Sequence, residues 1–301
     1  MEIGLIFALL SAILFAASNV FLRRGVSKAG ESFSALLIAI FMGILLFSLM
    51  MLFTGEWDKV WSLSARGWVL LGGAGIIHFV IGRYLAYIAV RLIGANRAIA
   101  ITRSNMLYAV IFGIILLSEP ITLPLVLGVA CLTFGVTLVS MERQGPEAKE
   151  HNQTSGLPTK GVFYALIAGL LWGISGIPIK LAVTEIGSPL AGAFVSFIPP
   201  SIIMAGLLFR ERQREELFIL PRSPLIYLAI AGALTSISQL FRYFALSYSP
   251  VSLVQPLLST NVLFLLLFSF LLNRHIEVFT VKVIIGIVVT VAGGVILSYW
   301  L

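Results

Sequence analysis

Residues 4–26 read GLIFALLSAILFAASNVFLRRGV, and residues 161–183 read GVFYALIAGLLWGISGIPIKLAV. Laid on each other without a gap, they match Gly4 with Gly161, Ala8 with Ala165, Leu14 with Leu171, Ser18 with Ser175, Arg23 with Lys180 and Val26 with Val183. Further along, Arg83-Tyr84 falls on Arg242-Tyr243, Asn105 on Asn261, Gly128 on Gly286 and Gly135 on Gly293. Each match alone is common in an apolar helix. Their shared order, at offsets between 156 and 159, marks an internal duplication.

Composition names the solvent of the duplicated unit. The chain has 59% hydrophobic and 11% charged residues and a mean hydropathy of +1.05, where a soluble domain carries about a quarter charged residues. An integral membrane protein is expected. A hydrocarbon core about 30 Å thick needs about 20 apolar residues per helix, and that ruler divides the chain into ten spans. They run near 3–22, 33–53, 67–90, 96–117, 121–140, 161–181, 188–209, 224–248, 251–272 and 280–300. The polar stretch MERQGPEAKEHNQTSGLPTK, residues 141–160, separates a first five-helix repeat (1–140) from a second (161–301). Five is odd, so the second repeat enters the membrane upside down relative to the first. The expected fold is all-α, with ten transmembrane helices as two inverted repeats, a plan that puts a transport site near the midplane.

Cytoplasmic connections retain Lys and Arg. Fourteen of the twenty follow odd-numbered spans, among them Arg23, Arg24, Arg143, Lys149, Arg210, Arg212, Arg214 and Arg274, while Lys59, Arg66 and Lys180 follow even-numbered ones. This bias puts the linker in the cytoplasm and both termini on the other side of a plasma (inner) membrane. The Asn152-Gln153-Thr154 sequon is then on the wrong face for glycosylation. The opening MEIGLIFALL lacks a basic n-region and reads as a retained first span. One cysteine, Cys131, permits no intrachain disulfide. The net charge of +7 is scattered over short connections, so no nucleic-acid partner is expected.

The duplication, the two openings quoted above, the Glu119-Pro120 ending of span 4 (LLSEPIT) and the glycine-spaced spans 5 and 10 (GVACLTFG, GIVVTVAGG) resemble the drug/metabolite transporter superfamily. Within it they are similar to the ten-span EamA type, over nearly the whole chain. The resemblance implies a solute carrier whose central cavity is lined by spans 1, 3, 4, 6, 8 and 9. The family's substrates range over amino acids, sugars, nucleotide conjugates and drugs. The second half departs from the pattern where LLNRHIE (271–277) stands in place of a Glu-containing ending.

Against this apolar background a few polar residues stand out. Arg83 and Arg242 lie deep in spans 3 and 8, and inversion places them on opposite sides of the midplane. Each snorkels to its nearer interface, satisfies backbone carbonyls at a helix break, or faces the bundle interior or a water-filled cavity, at an insertion cost of roughly 2.5–3.5 kcal/mol. Thr235, Gln239 and Arg242 follow i, i+4, i+7 and form one polar stripe, and Ser252, Gln255 and Ser259 do the same on span 9. Ser259 corresponds to Arg103, a third cation for span 4. Asn105 and Asn261 either bond across helices or meet solute. Ser18 and Asn19 on span 1, and Trp172 and Ser175 on span 6, are candidates for the cavity wall. His78 offers a titratable group, and Tyr84 and Tyr243 offer phenols. All 13 Asp and Glu fall in loops or at span ends, so no buried carboxylate is expected to exchange protons for a cationic solute. Pro178, Pro199-Pro200 and Pro256 interrupt second-half spans, which predicts bending mainly in that half.

The favoured function is transport of a small organic metabolite, anionic or zwitterionic (amino-acid-like or phosphorylated), secondary-active or facilitative, by alternating access. Partners are the solute and membrane lipids. No cofactor or metal is called for. A multidrug exporter of the same fold is the alternative, with an aromatic cavity and both Arg turned away. A closed membrane scaffold is a third reading. No HExxH, paired carboxylates, phosphate loop or Ser/His/Asp constellation supports an enzyme.

Overall fold

The computed structural model describes residues 2–29, 32–142, 159–209, 220–272 and 280–299. Most of the 141–160 linker with its sequon, Arg143, Lys149, Arg210, Arg212, Arg214 and the Arg274 segment lie outside the described residues. The protein is an all-α, multi-pass integral membrane protein. In hydrocarbon every backbone N–H and C=O must be bonded within its own segment, so long apolar runs fold as helices. Among the described residues nine such helical stretches are long and apolar enough to cross a membrane, and a tenth, Leu123–Val139, is shorter.

Span 1 is Glu2–Ala29 and span 2 is Ser32–Thr54. Span 3 is built from Ala65–Gly75, a π-helical stretch Ile76–Ile81 and Gly82–Ile93. Span 4 joins Ala95–Thr102 to Asn105–Leu117, and span 5 is Leu123–Glu142. In the second half, span 6 joins Thr159–Ile174 to Gly176–Ile186, and span 7 is Pro189–Leu207. Span 8 is Arg222–Tyr248, span 9 joins Val251–Leu258 to Asn261–Leu272, and span 10 is Val281–Ser298. A short helix, Trp57–Trp61, links spans 2 and 3.

Helices in lipid gain little from the hydrophobic effect on meeting each other, so contact relies on small residues and interhelical hydrogen bonds. Spans 5 and 10 show this directly. A Cβ on Gly135 would lie 2.7 Å from Gly286 O, and one on Gly286 would lie 2.9 Å from Gly135 O. Gly128 and Gly293 meet in the same reciprocal way, at 3.0 and 2.9 Å. Residue numbers rise along one helix as they fall along the other, so these matched spans run antiparallel. Spans 1 and 8 are zipped likewise: Ser11 Oγ donates to Ser238 O and Ser238 Oγ to Ser11 O, both at 2.8 Å. The main contacts persist when the halves are exchanged, since span 1 packs on span 8 as span 6 packs on span 3, and span 2 on span 8 as span 7 on span 3. The outer surface is apolar, with Ile115, Phe134, Ile202 and Val288 exposed where lipid tails would lie.

Helix breaks are not confined to the second half, contrary to the proline count. Span 6 is interrupted at Ser175, where Pro178 has no N–H for Ile174 O, and span 9 at Ser259-Thr260 beyond Pro256. Yet span 4, with no proline inside it, breaks at the matching Arg103-Ser104, where Ser104 N bonds Ile101 O and Met106 N bonds Arg103 O, three residues back. The broken backbone presses on the GLLWG stretch of span 6, and a Cβ on Gly173 would lie 2.6 Å from Asn105 O. Span 7 stays helical through Pro199-Pro200.

Candidate functional site

The stretch GRYLAY, residues 82–87, begins where the π-helical turn of span 3 ends. Gly82 N–H reaches back five residues to Ile77 O, and His78 O accepts from Trp172 Nε1 at 3.0 Å. The indole approaches only because residue 82 has no side chain: a Cβ there would lie 2.6 Å from Nε1 and 2.8 Å from Cδ1 of Trp172. The wide turn also re-registers the helix, as such bulges do at functional sites. His78 and Arg83, five residues apart, consequently serve two different clusters.

The first cluster centres on Arg242, which is 3% exposed. Its Nη2 donates to Ser175 Oγ at 3.0 Å, and its Nη1 donates to Gln239 Oε1 at 3.3 Å and approaches His78 Nδ1 at 3.4 Å. Ser175 Oγ also lies 3.0 Å from His78 Nδ1 and donates to Trp172 O at 2.8 Å. Five residues singled out from the sequence, Arg242, Gln239, Ser175, His78 and Trp172, thus form one network joining spans 3, 6 and 8. Both Nη atoms of the guanidinium are bonded to protein, and Nε has no partner among the described residues.

The second cluster centres on Arg83. Together with Ser18, Tyr87, Thr235 and the small residues Ala35, Ala39, Ala231 and Gly232, it lines a cleft between spans 1, 2, 3 and 8 with open volume of about 10 Å³, room for about one water. Ser18 Oγ donates to Ala231 O at 2.9 Å and lies 2.6 Å from Thr235 Oγ1. Among the described residues Arg83 has neither a hydrogen-bond nor an ion-pair partner. The two clusters are counterparts. Each takes its Arg from the third span of a half, its Ser from the first span of that half, and one further group from the third span of the opposite half. That group is Thr235 at the Arg83 cleft and His78 beside Arg242; Thr235 precedes Arg242 by seven residues and His78 precedes Arg83 by five, so the sequence spacing does not reveal the equivalence.

Other candidates are placed apart from these clusters. Arg103 Nη1 donates to Asn261 Oδ1 at 3.2 Å, bridging the breaks of spans 4 and 9, so Asn261 bonds across helices. Asn105 is packed at the break with its Oδ1 unpartnered, and Gln255 Oε1 is buried and unpartnered too. Ser259 is buried and donates weakly to Gln255 O at 3.4 Å. Asn19 bonds its own helix at Phe15 O, 2.8 Å away. Tyr84 is 63% exposed and points outward, because the residue after Arg83 is about 100° around the helix; Tyr243 is wholly buried among spans 7 and 8. Neither phenol borders the cleft.

One expectation is corrected. Glu119 is buried, at 8% exposure, although it terminates span 4. Ser118, at φ +53°, turns the chain inward, and the carboxylate accepts Val251 N–H at Oε1 (2.7 Å) and Ser252 N–H at Oε2 (2.9 Å). It thus caps span 9, a role for which the Glu-Pro ending was the available signal. Lys180, read from the sequence only as a loop cation, donates through Nζ to Leu246 O (2.9 Å) and Ser249 O (2.8 Å) at the end of span 8.

Comparison with known proteins accords with this architecture. Residues 2–141 and 159–299 each match the model of the EamA-like transporter family. A protein described as an uncharacterized transporter in the cobO 3′ region of a Sinorhizobium species is 29% identical over 135 residues, 44% of this chain and 94% of that one. A solved crystal structure of a protein superposes with a TM-score of 0.76 over 99% of this chain and 97% of that chain, at 14% identity, a likeness of fold alone. A duplicated, all-helical membrane bundle matching that family in both halves is a transporter, and the chain belongs to the EamA-like transporter family.

Proposed function

We propose that the protein carries a small organic anion or zwitterion, amino-acid-like or phosphorylated, across the plasma (inner) membrane by alternating access of two inverted repeats, residues 1–140 and 161–301. Transport is secondary-active or facilitative, and the chain is not an enzyme. The observation that carries this reading is the unequal state of the matched arginines: Arg242 is consumed by protein partners, while Arg83 lines a cleft with its donors unspent. A part-buried guanidinium with no protein partner among the described residues is available to a carboxylate or phosphate, which answers it with paired hydrogen bonds.

The distribution of Lys and Arg supports an orientation with both termini outside. Leu22 and Leu228 border the cleft near the cytoplasmic ends of spans 1 and 8, so in this orientation the cleft lies toward the cytoplasmic side and the Arg242 network toward the outer side. Exchange of the two states would bond Arg83 and free Arg242. Transport of a panel of carboxylates, phosphates and neutral analogues into proteoliposomes tests the reading. Preference for anions that vanishes in Arg83→Gln supports it; equal rates for neutral and anionic members overturn it.

A further inference from the structure

Spans 8 and 9 are joined by a tight turn, Ser249-Pro250, whose two residues are both extended (ψ 157° and 150°). Such a reversal leaves the last carbonyls of one helix and the first N–H groups of the next without helical partners. Two opposite charges from elsewhere fill both needs. Lys180 of span 6 binds Leu246 O and Ser249 O, and Glu119 beyond span 4 binds the N–H groups of Val251 and Ser252. Each charge has the sign that its helix end attracts.

Val251 ties this turn to the buried arginine. Its side chain is wholly buried. From the Cβ position at Gly176, next to Ser175, Val251 Cγ1 is 3.1 Å away and Arg242 Nη2 is 3.8 Å away. The residue whose N–H Glu119 grips and the Arg242 guanidinium therefore both lie against span 6 at Gly176. Moving the turn would draw Val251 away from the stretch of span 6 that it shares with Arg242, and both charges oppose that movement.

We propose that Glu119 and Lys180 form a gate latch over the Arg242 site, with Val251 as its plug, and that release of this turn is the step that opens that side. The inference rests on the alternating-access reading, but its test needs no solute, so the two can fail separately.

The experiment places a reporter under the latch. Ser252 is fully buried with an unpartnered Oγ, so Ser252→Cys in a Cys131→Ala background is close to isosteric. The rate of modification by a water-soluble maleimide is measured on purified, monodisperse protein in detergent. Glu119→Gln and Lys180→Gln should each raise it tenfold or more. Lys180→Arg keeps charge and donors and should leave the rate at the parent value, as should Glu56→Gln, which alters a carboxylate that bonds Ser188 instead. Rates within twofold of the parent in both Gln variants overturn the latch. Loss of monodisperse protein in both would assign the pair to folding and overturn it equally.

Discussion

Alanine at position 82 tests the close contact that organises span 3. Gly82→Ala normally favours a helix by about 1 kcal/mol. Here the new methyl would lie 2.6 Å from Trp172 Nε1 and 2.9 Å from Ile77 O, and the second of these is backbone that cannot swing away. Overpacking of this kind costs about 1–3 kcal/mol. Pushing the indole aside also breaks its bond to His78 O, worth about 1 kcal/mol. The clash therefore outweighs propensity, and a net loss of about 1–3 kcal/mol is expected from reversible unfolding in mixed micelles followed by tryptophan fluorescence. A double-mutant cycle isolates the cause: with Trp172→Phe in place, which removes the N–H donor, the cost of Gly82→Ala should fall by about 1 kcal/mol. A neutral or stabilising Gly82→Ala, or an equal cost in both backgrounds, would refute the reasoning.

The two matched arginines should separate by assay. Arg242→Gln breaks hydrogen bonds made by a buried charge and is expected to cost about 1–3 kcal/mol of stability, whereas Arg83→Gln, which breaks none, should change it by less than about 0.5 kcal/mol in the same unfolding measurement. Gly135→Ala would set a methyl 2.7 Å from Gly286 O and from Thr290 N, backbone on both counts, so spans 5 and 10 must part at a cost of about 2–3 kcal/mol, read as a lower Tm. Tyr84→Ala, on the outward face, should leave transport within twofold of wild type when vesicle uptake is compared.

Much of the fold was legible because the membrane imposes a single ruler, and apolar runs of about 20 residues can do little but span it. The matches of Gly128 with Gly286 and Gly135 with Gly293 were legible as duplication, and the same four glycines, cross-paired as Gly128 with Gly293 and Gly135 with Gly286, are where spans 5 and 10 meet. The breaks were only half legible. Proline announces itself in spans 6 and 9, but the break at Arg103-Ser104 has no proline, and what accompanies it is the GLLWG stretch of span 6 packed against it. The π turn of span 3 left no local mark in the sequence. Stripe periodicity joined Gln239 to Arg242 correctly, yet it could not show that His78 and Ser175, from other spans, complete that network. Glu119 illustrates the general limit: a position at a span end does not tell whether the chain then turns outward or, as at Ser118, back into the bundle.

The central claim is that Arg83 meets the charge of the solute while Arg242 is held in reserve by Ser175, Gln239 and His78. Its most direct measurement is counterflow in proteoliposomes of an anionic substrate and its neutral amide or ester, compared between wild type and Arg83→Gln. The account expects the variant to lose at least tenfold on the anion, about 1.4 kcal/mol of recognition, with the neutral analogue changed less than twofold. Equal losses on both solutes, or none on either, would contradict it.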